Sequence, residues 1–238
     1  MARPAVSSAI KRTVRQRCRF GCVICGLPVV HYDHIDDYAV VQEHTAENIT
    51  LLCPTHHQDK TSKRLPRETV RKANANPYNG RRDFTTKHQI FFDGDHIRFN
   101  IGTNIFDSYL EDGKKFSAII AGGDHFASFI KEDDALLLNL EIRDAVLNPI
   151  LSIRNGEVLV STGVQDITME GPHLTMTPKF SIKPVKIHFL ENGVNISSGF
   201  FYAHQRIVDV SPSHVLLIPF NIIMSESYSQ SNETGVVF

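Results

Sequence analysis

The sequence predicts an α+β protein in two parts. A small N-terminal segment mixes short strands with helices, and a mainly-β domain follows, built as a sandwich, roll or small barrel. Three observations predict this. All four cysteines, Cys18, Cys22, Cys25 and Cys53, lie in the first quarter of the 238 residues. Charge divides the same way: residues 1–87 hold 15 Lys/Arg against 8 Asp/Glu, a balance of +7, and the remainder holds 10 against 18, or −8. From about Phe84 the texture changes to short β-rich runs separated by Asp93-Gly94, Asp112-Gly113, Asn155-Gly156 and Asn192-Gly193, dipeptides that favour tight turns.

Taken in order, residues 5–17 read as a helix. Pro4 suits the first helical position, and Val6, Ile10 and Val14 fall on one apolar stripe. Gly21 and Gly26 bracket Cys22 and Cys25 as a knuckle, and Val29, Val30, His31 and Tyr32 carry strand propensity. The stretch "HTAENITLLC" offers a second extended run, "PTHHQDKTSKRL" starts a helix, and another helix follows Pro66. Asn, Pro and Gly crowd "NANPYNGRRD", the mark of a linker. These signals divide the chain into residues 1–80, a linker at 81–87, and a β-rich part at 88–238. Within the last, "ALLLNLEIRDAVLNPILSIRNGEVLVSTG" reads as three strands and two turns, and the polar "SESYSQSNETG" reads as a frayed tail.

Composition excludes several classes. No apolar run approaches the ~20 residues of a membrane span. The basic start lacks the apolar stretch of a signal peptide, so a cytoplasmic chain with no membrane partner is expected. A disulfide scaffold would spread its cysteines across the fold; a cluster points to metal or redox chemistry. Charge asymmetry suggests a polyanion-binding segment joined to something else.

Cys22-x2-Cys25 and Cys53-x2-His56 are two pairs at ligand spacing. Thiolates and an imidazole in a four-coordinate set suit zinc. Each pair lies on a different segment, so one Zn²⁺ would tie the knuckle to the start of the helix. A thioredoxin-type redox pair needs a βαβ context that is absent here. Cys18, on the first helix, is most simply a small packed thiol. With His56 assigned to zinc, His57 is available beside Asp33 and His34. A carboxylate and two imidazoles make a divalent-metal and general-base set. Neighbours on a regular strand point to opposite faces, so Asp33 and His34 meet only on a twisted or bulged strand end.

The ordered elements "CVIC" (22–25), "DHI" (33–35), "ENITLLC" (47–53) and "HHQDKT" (56–61) resemble an HNH endonuclease of the zinc-bound ββα-metal type. The run-in "VRQRCRFGCVICG" also fits, and the resemblance covers about residues 15–65. It implies that His34 is the general base, that Asp33 and His57 ligate a catalytic Mg²⁺ or Mn²⁺, and that Asn48 braces the loop between the strands and orients His34. Cys22, Cys25 and Cys53 match structural zinc ligands, and Lys60 would face phosphate. Two departures stand out. The family's last cysteine is replaced by His56, so His56 and His57 can exchange roles, and a further ligand position one helical turn later is Thr61. His31 and His44 read as surface or supporting residues.

Arg12, Arg15, Arg17 and Arg19 precede this site, and Lys60, Lys63, Arg64, Arg67, Arg71 and Lys72 follow it. Folded around the hairpin, they would line a groove for the DNA backbone, with double-stranded DNA the expected partner. The β-rich part carries no comparable motif, and its scattered histidines have no ligand spacing. Its expected roles are homodimerisation, ligand sensing or docking of a regulatory partner. By analogy, a defence, restriction or mobile-element effector suits this arrangement. The alternative is a zinc-stapled DNA-binding adaptor without catalysis; a delivered toxin nuclease is the third reading.

Overall fold

A computed structural model describes residues 4–181 and 183–238, so the first three residues of the expected N-terminal part lie outside it. The chain divides into two compact units: Met1–His88 with Ser161–Met169, and Gln89–Val160 with Glu170–Phe238.

In the first unit, helix α1 (Ser8–Arg17) begins three residues later than the apolar stripe suggests. Ser7 caps it, its hydroxyl accepting from the Ile10 N–H at 3.3 Å, so Pro4 stays outside the helix. Strand β1 (His31–His34) and strand β2 (Ile49–Leu52) form an antiparallel hairpin with Asp33 opposite Thr50. Between them lies a helical turn, α2 (Tyr38–Val41), which the sequence reading treats as loop. Helix α3 (Pro54–Thr61) follows at once, with Pro54 at its first turn, and α4 (Arg67–Ala75) follows Pro66. Val14, Ile35, Ile49, Leu51, Leu52 and Val70 form the buried core, against which Val6 and Ile10 pack.

The Asn/Pro/Gly-rich stretch read as a linker is tied down. Asn79 is buried and donates to the carbonyls of Arg19 and Gly26. The Thr86 hydroxyl donates to the Cys25 carbonyl at 2.5 Å. The bonds to Cys25 and Gly26 satisfy backbone oxygens of the tight cysteine turn.

After the short strand β3 (His88–Gln89), the second unit is built of strands. In chain order these are β4 (His96–Ile101), β5 (Asn104–Tyr109), β6 (Lys115–Ala121), β7 (Asp124–Glu132), β8 (Ala135–Arg143), β9 (Pro149–Arg154) and β10 (Glu157–Val160). The three strands and two turns expected over 135–160 are β8, β9 and β10. The turn Asn155-Gly156 has positive φ at both residues, 50° and 77°, as a two-residue hairpin requires. Strand β11 (Asp166–Glu170) starts in the segment that belongs to the first unit. Then come β12 (His173–Thr177), β13 (Val185–Leu190), β14 (Gly193–Ala203), β15 (Arg206–Val210), β16 (Val215–Ile218), β17 (Ile222–Met224), β18 (Tyr228–Gln230) and β19 (Thr234–Val237).

One sheet runs β19-β6-β7-β8-β9-β10; another runs β12 to β17 in order, with β4 joined in parallel to β14. Alternate residues are buried along β4 and β8, the signature of strands with one face in a core. Phe99 of β4 packs on Phe129 of β7 and Phe116 of β6, with ring centroids 5.2 and 6.3 Å apart, joining the two sheets. The α+β class expected from sequence is therefore present. Among the described residues no helix is long and apolar enough to cross a membrane.

The tail departs from expectation: β18 pairs in parallel with β5 and β19 with β6, so the polar run is stitched into both sheets. Serines and threonines can occupy edge strands when the backbone supplies the bonds. Gly235 permits the close approach, because a Cβ there would stand 2.5 Å from the Ala118 carbonyl oxygen. We expect Gly235→Ala to push β19 off β6 and lower the stability of the second unit by about 1–3 kcal/mol, measured by thermal or urea unfolding. An unchanged midpoint would contradict this pairing.

Candidate metal centre

Cys22, Cys25, Cys53 and His56 bring one ligand atom each within 4.8 Å of all the others. The Cys25 and Cys53 sulfurs are 3.8 Å apart, and His56 Nδ1 lies 3.4 Å from Cys22 Sγ and 3.2 Å from Cys53 Sγ. A tetrahedron with Zn–S bonds of about 2.3 Å has sulfurs about 3.8 Å apart, so the four residues fit a structural zinc. The backbone builds both halves. Cys22 N–H donates to the Leu27 carbonyl and Gly26 N–H to the Cys22 carbonyl, closing the knuckle. Cys53 sits at the N-cap of α3, and one turn of helix brings His56 back to it.

The thiols hold their protons unevenly. A hydrogen bond from Cys25 draws Cys22 down to about 4, and the same bond pushes Cys25 well up. Burial pushes Cys53 up. A bound dication would draw all three sulfurs to thiolate. Cys18 stands apart from the cluster, fully buried on α1, with burial raising its thiol as expected of a packed residue.

His57, one residue on, does not join the cysteines. Its Nε2 lies 3.5 Å from Asp33 Oδ1, so the structure separates the roles of the two adjacent histidines. Lys60, one turn further along α3, reaches the same carboxylate. Its Nζ is 2.7 Å from Asp33 Oδ2 and donates to the His34 carbonyl at 2.6 Å. The contact with Asp33 is a largely buried ion pair, with the two side chains 11% and 15% exposed. A carboxylate with one oxygen beside an imidazole and the other on an ammonium group can present Oδ1 and the imidazole nitrogen to a divalent cation. An open cavity of about 510 Å³ adjoins it, lined by Asp33, Asp37, Lys60, Thr61, Lys63, Leu65, Pro66 and Arg67. The Thr61 hydroxyl donates to the His57 carbonyl at 2.9 Å. Among the described residues, only the Cys₃His group gathers three or more ligating side chains.

His34 turns elsewhere. Strand alternation holds, with Asp33 toward α3 and the His34 ring against Tyr38 and His44, so the twisted strand end that would unite Asp33 and His34 is not formed. His34 Nε2 lies 3.0 Å from His44 Nδ1, and His44 Nε2 lies 2.7 Å from the Pro4 carbonyl. His34 is buried and is not among the residues lining the Asp33 cavity. Asn48 makes a reciprocal pair with the Asp36 backbone, its Oδ1 accepting from N–H at 2.8 Å and its Nδ2 donating to the carbonyl at 3.0 Å. This closes the turn immediately after His34 and Ile35.

The expected phosphate-facing cations divide. Arg15 gives Nε and Nη2 to Asp166 at 2.8 and 2.6 Å, and Nη1 to the Tyr32 hydroxyl at 2.6 Å. Burial pulls its pKa down, but the bonds to Asp166 and Tyr32 more than offset this and leave it above the usual value. Arg17 donates to the carbonyls of Ala46 and Ile49, both at 2.5 Å, and to Asn74. With Lys60 on Asp33, these three expected backbone contacts are held by protein partners, because a partly buried cation must be matched where it lies. Arg64 is exposed but paired with Asp59, and Arg67 and Arg71 pair with Asp36 and Asp37. Arg19 and Lys63 are exposed. Sequence reasoning missed the structural parts played by Lys60, His44, Asn79 and Asp166. His44 carries no local spacing signal, Lys60 lies one helical turn past His57 but reads as a phosphate contact, and Asp166 is 151 residues from its partner.

Residues 22–63 match the family model described as HNH endonuclease. The resemblance read from the sequence is therefore upheld over that segment, which contains the Cys₃His cluster, β1, β2 and α3. No curated protein and no solved structure gives a significant match to the chain.

Chelation tests the cluster. Removing zinc from the folded chain, or substituting Cys53→Ser, should unfold the hairpin and α3. Structural zinc contributes on the order of 10 kcal/mol in small domains. Hydrogen exchange should show protection lost over residues 22–63 and kept in β6 to β9. Equal protection with and without metal would contradict a structural role.

Proposed function

We propose that residues 22–63 are the catalytic core of a metal-dependent HNH endonuclease that hydrolyses phosphodiester bonds in DNA, most naturally double-stranded DNA. The observation that carries this reading is the juxtaposition of Asp33 and His57, 3.5 Å apart, beside a Cys₃His cluster. The family match supports it. In this reading Cys22, Cys25, Cys53 and His56 hold structural Zn²⁺, and Asp33 and His57 hold a catalytic Mg²⁺ or Mn²⁺. When bound, that cation offsets charge developing on the scissile phosphate and leaving oxygen.

His34 acts as general base, and its tautomer follows from the bonds around it. A carbonyl only accepts, so His44 donates Nε2–H to Pro4 and presents Nδ1 as acceptor. With both rings neutral, His34 donates Nε2–H to His44, which fixes the ring, and in this reading His34 takes the proton from water. Asn48 holds the turn behind it. Arg19 and Lys63 contact the DNA backbone, joined by Arg64 when it leaves Asp59, and contribute affinity without sequence choice.

We assign residues 1–80 to this nuclease domain, with 81–87 packed onto it, and 88–238, apart from Ser161–Met169, to a regulatory, oligomerisation or partner-binding role. Its acidic balance disfavours contact with the same DNA. A cytoplasmic defence or restriction effector is the biological setting we favour by analogy.

One observation favours a second reading, a zinc-stapled DNA-binding adaptor: the His34 ring sits with His44 and Tyr38 outside the Asp33 cavity. Plasmid cleavage separates the two. With Mg²⁺ or Mn²⁺ we expect nicking, and His34→Ala should reduce it by about 10²- to 10⁴-fold while zinc content stays unchanged. DNA binding without cleavage by the parent under any divalent metal would favour the adaptor.

Lys60 gives a separate readout. A cation 2.7 Å from Asp33 Oδ2 opposes a second one there. Lys60→Met should therefore tighten Mn²⁺ binding by about tenfold, measured by electron paramagnetic resonance on the DNA-free protein. Weaker or unchanged Mn²⁺ binding would contradict Asp33 as a ligand that Lys60 guards.

A further inference from the structure

We propose that Asp166 is a positioning residue for β1: the segment Ser161–Met169 clasps α1 and, through Arg15 and Tyr32, holds the strand that carries Asp33 and His34. The functional consequence rests on the nuclease reading above; the mechanical one does not.

The segment belongs to the first unit although residues 89–160 and 170–238 belong to the second. It is fastened along its length. Ser161 bridges Phe84, and Thr162 receives the Asp83 carbonyl on its N–H at 2.9 Å and donates its hydroxyl to the Arg82 carbonyl at 2.5 Å. Gln16 donates to the Gln165 carbonyl at 2.9 Å. Val164 and Ile167 are buried. At the centre, the Asp166 carboxylate takes two parallel bonds from Arg15, with Arg12 Nε 4.0 Å away, and its Oδ1 also accepts from the Ile167 N–H. The Arg15 side chain is 12% exposed and that of Asp166 16%, so solvent screens this pair less than a surface bridge.

A two-stranded hairpin is marginal by itself, and β1 pairs only with β2 among the described residues. Its two faces need outside support. On the Asp33 face, α3 supplies His57 and Lys60. On the other face, Tyr32 is fixed by Arg15 Nη1 and by Lys11, whose Nζ lies 5.4 Å from the ring centroid. Tyr32 and His34 share that face, two residues apart. The planar guanidinium transmits orientation as well as charge, because its fork fits one carboxylate plane. Loss of Asp166 frees Arg15 to rotate and removes the brace from Tyr32.

The test uses the full chain with zinc content measured for each variant. Hydrogen exchange is followed at residues 31–34, and Mn²⁺ affinity is read by paramagnetic resonance. Asp166→Asn should speed exchange across β1 by about tenfold or more, as loss of a charged hydrogen bond predicts. It should also weaken Mn²⁺ binding, leave exchange in β6 to β9 unchanged, and retain zinc. Asp166→Glu should restore most of both readouts. Tyr32→Phe, which removes only the last link, should move β1 the same way by a smaller factor, and it serves if Asp166→Asn does not fold. Parent-like β1 exchange in Asp166→Asn, or in Tyr32→Phe where that variant stands in, would overturn the proposal. Absence of Mn²⁺ binding in the parent would sink the nuclease reading and leave the exchange result to decide the clasp.

Discussion

The first unit depends on four ligand atoms brought within 4.8 Å from two distant pieces of chain. Its core is small, its sheet has two strands, and its helices are short, so local propensity alone cannot hold it. The cluster fixes where α3 starts, because Cys53 is both ligand and N-cap. That start fixes everything further along the helix. Successive helical residues are rotated by about 100°, so two adjacent histidines face different neighbours. His56 turns to the sulfurs and His57 to Asp33, and Lys60 follows on the His57 side. One geometric constraint thus sends the two imidazoles to different neighbours, one to the thiols and one to a carboxylate.

A second theme is how the unit uses its positive charge. The N-terminal balance of +7 invites a purely electrostatic reading. Three of its fifteen cations are held by internal partners, although only the Arg15–Asp166 pair lowers the net balance. Arg17 satisfies carbonyls at the entrance to β2, Arg15 bridges Asp166 and Tyr32, and Lys60 sits on Asp33. Each such cation is partly buried and would be costly without its partners. What remains for a polyanion is a smaller set, with Arg19 and Lys63 in the open and several arginines in exposed pairs that exchange readily.

The sequence was legible where chemistry is local. Cys-x2-Cys and Cys-x2-His spacing, the apolar stripe of α1, the strand–strand–helix order and the Asn155-Gly156 turn all depend on residues a few positions apart. It was illegible where the deciding partner is remote. Nothing near Arg15 announces Asp166, and nothing near His34 announces that His44 will turn its ring nitrogen toward it. The tail misled because polar composition signals disorder only when no open strand edge is offered; β5 and β6 offer one each. Pro4 misled because Ser7, three residues on, caps the helix by accepting the Ile10 N–H. A shared site for Asp33 and His34 requires a twisted strand end, and β1 is regular: Asp33 faces the helix and His34 the opposite side.

Zinc-edge X-ray absorption on the purified chain examines the founding constraint most directly. One zinc per chain is expected, with three sulfurs at about 2.3 Å and one nitrogen at about 2.0–2.1 Å. A shell of nitrogen and oxygen alone, or cysteines oxidised to a disulfide with no metal bound, would contradict it.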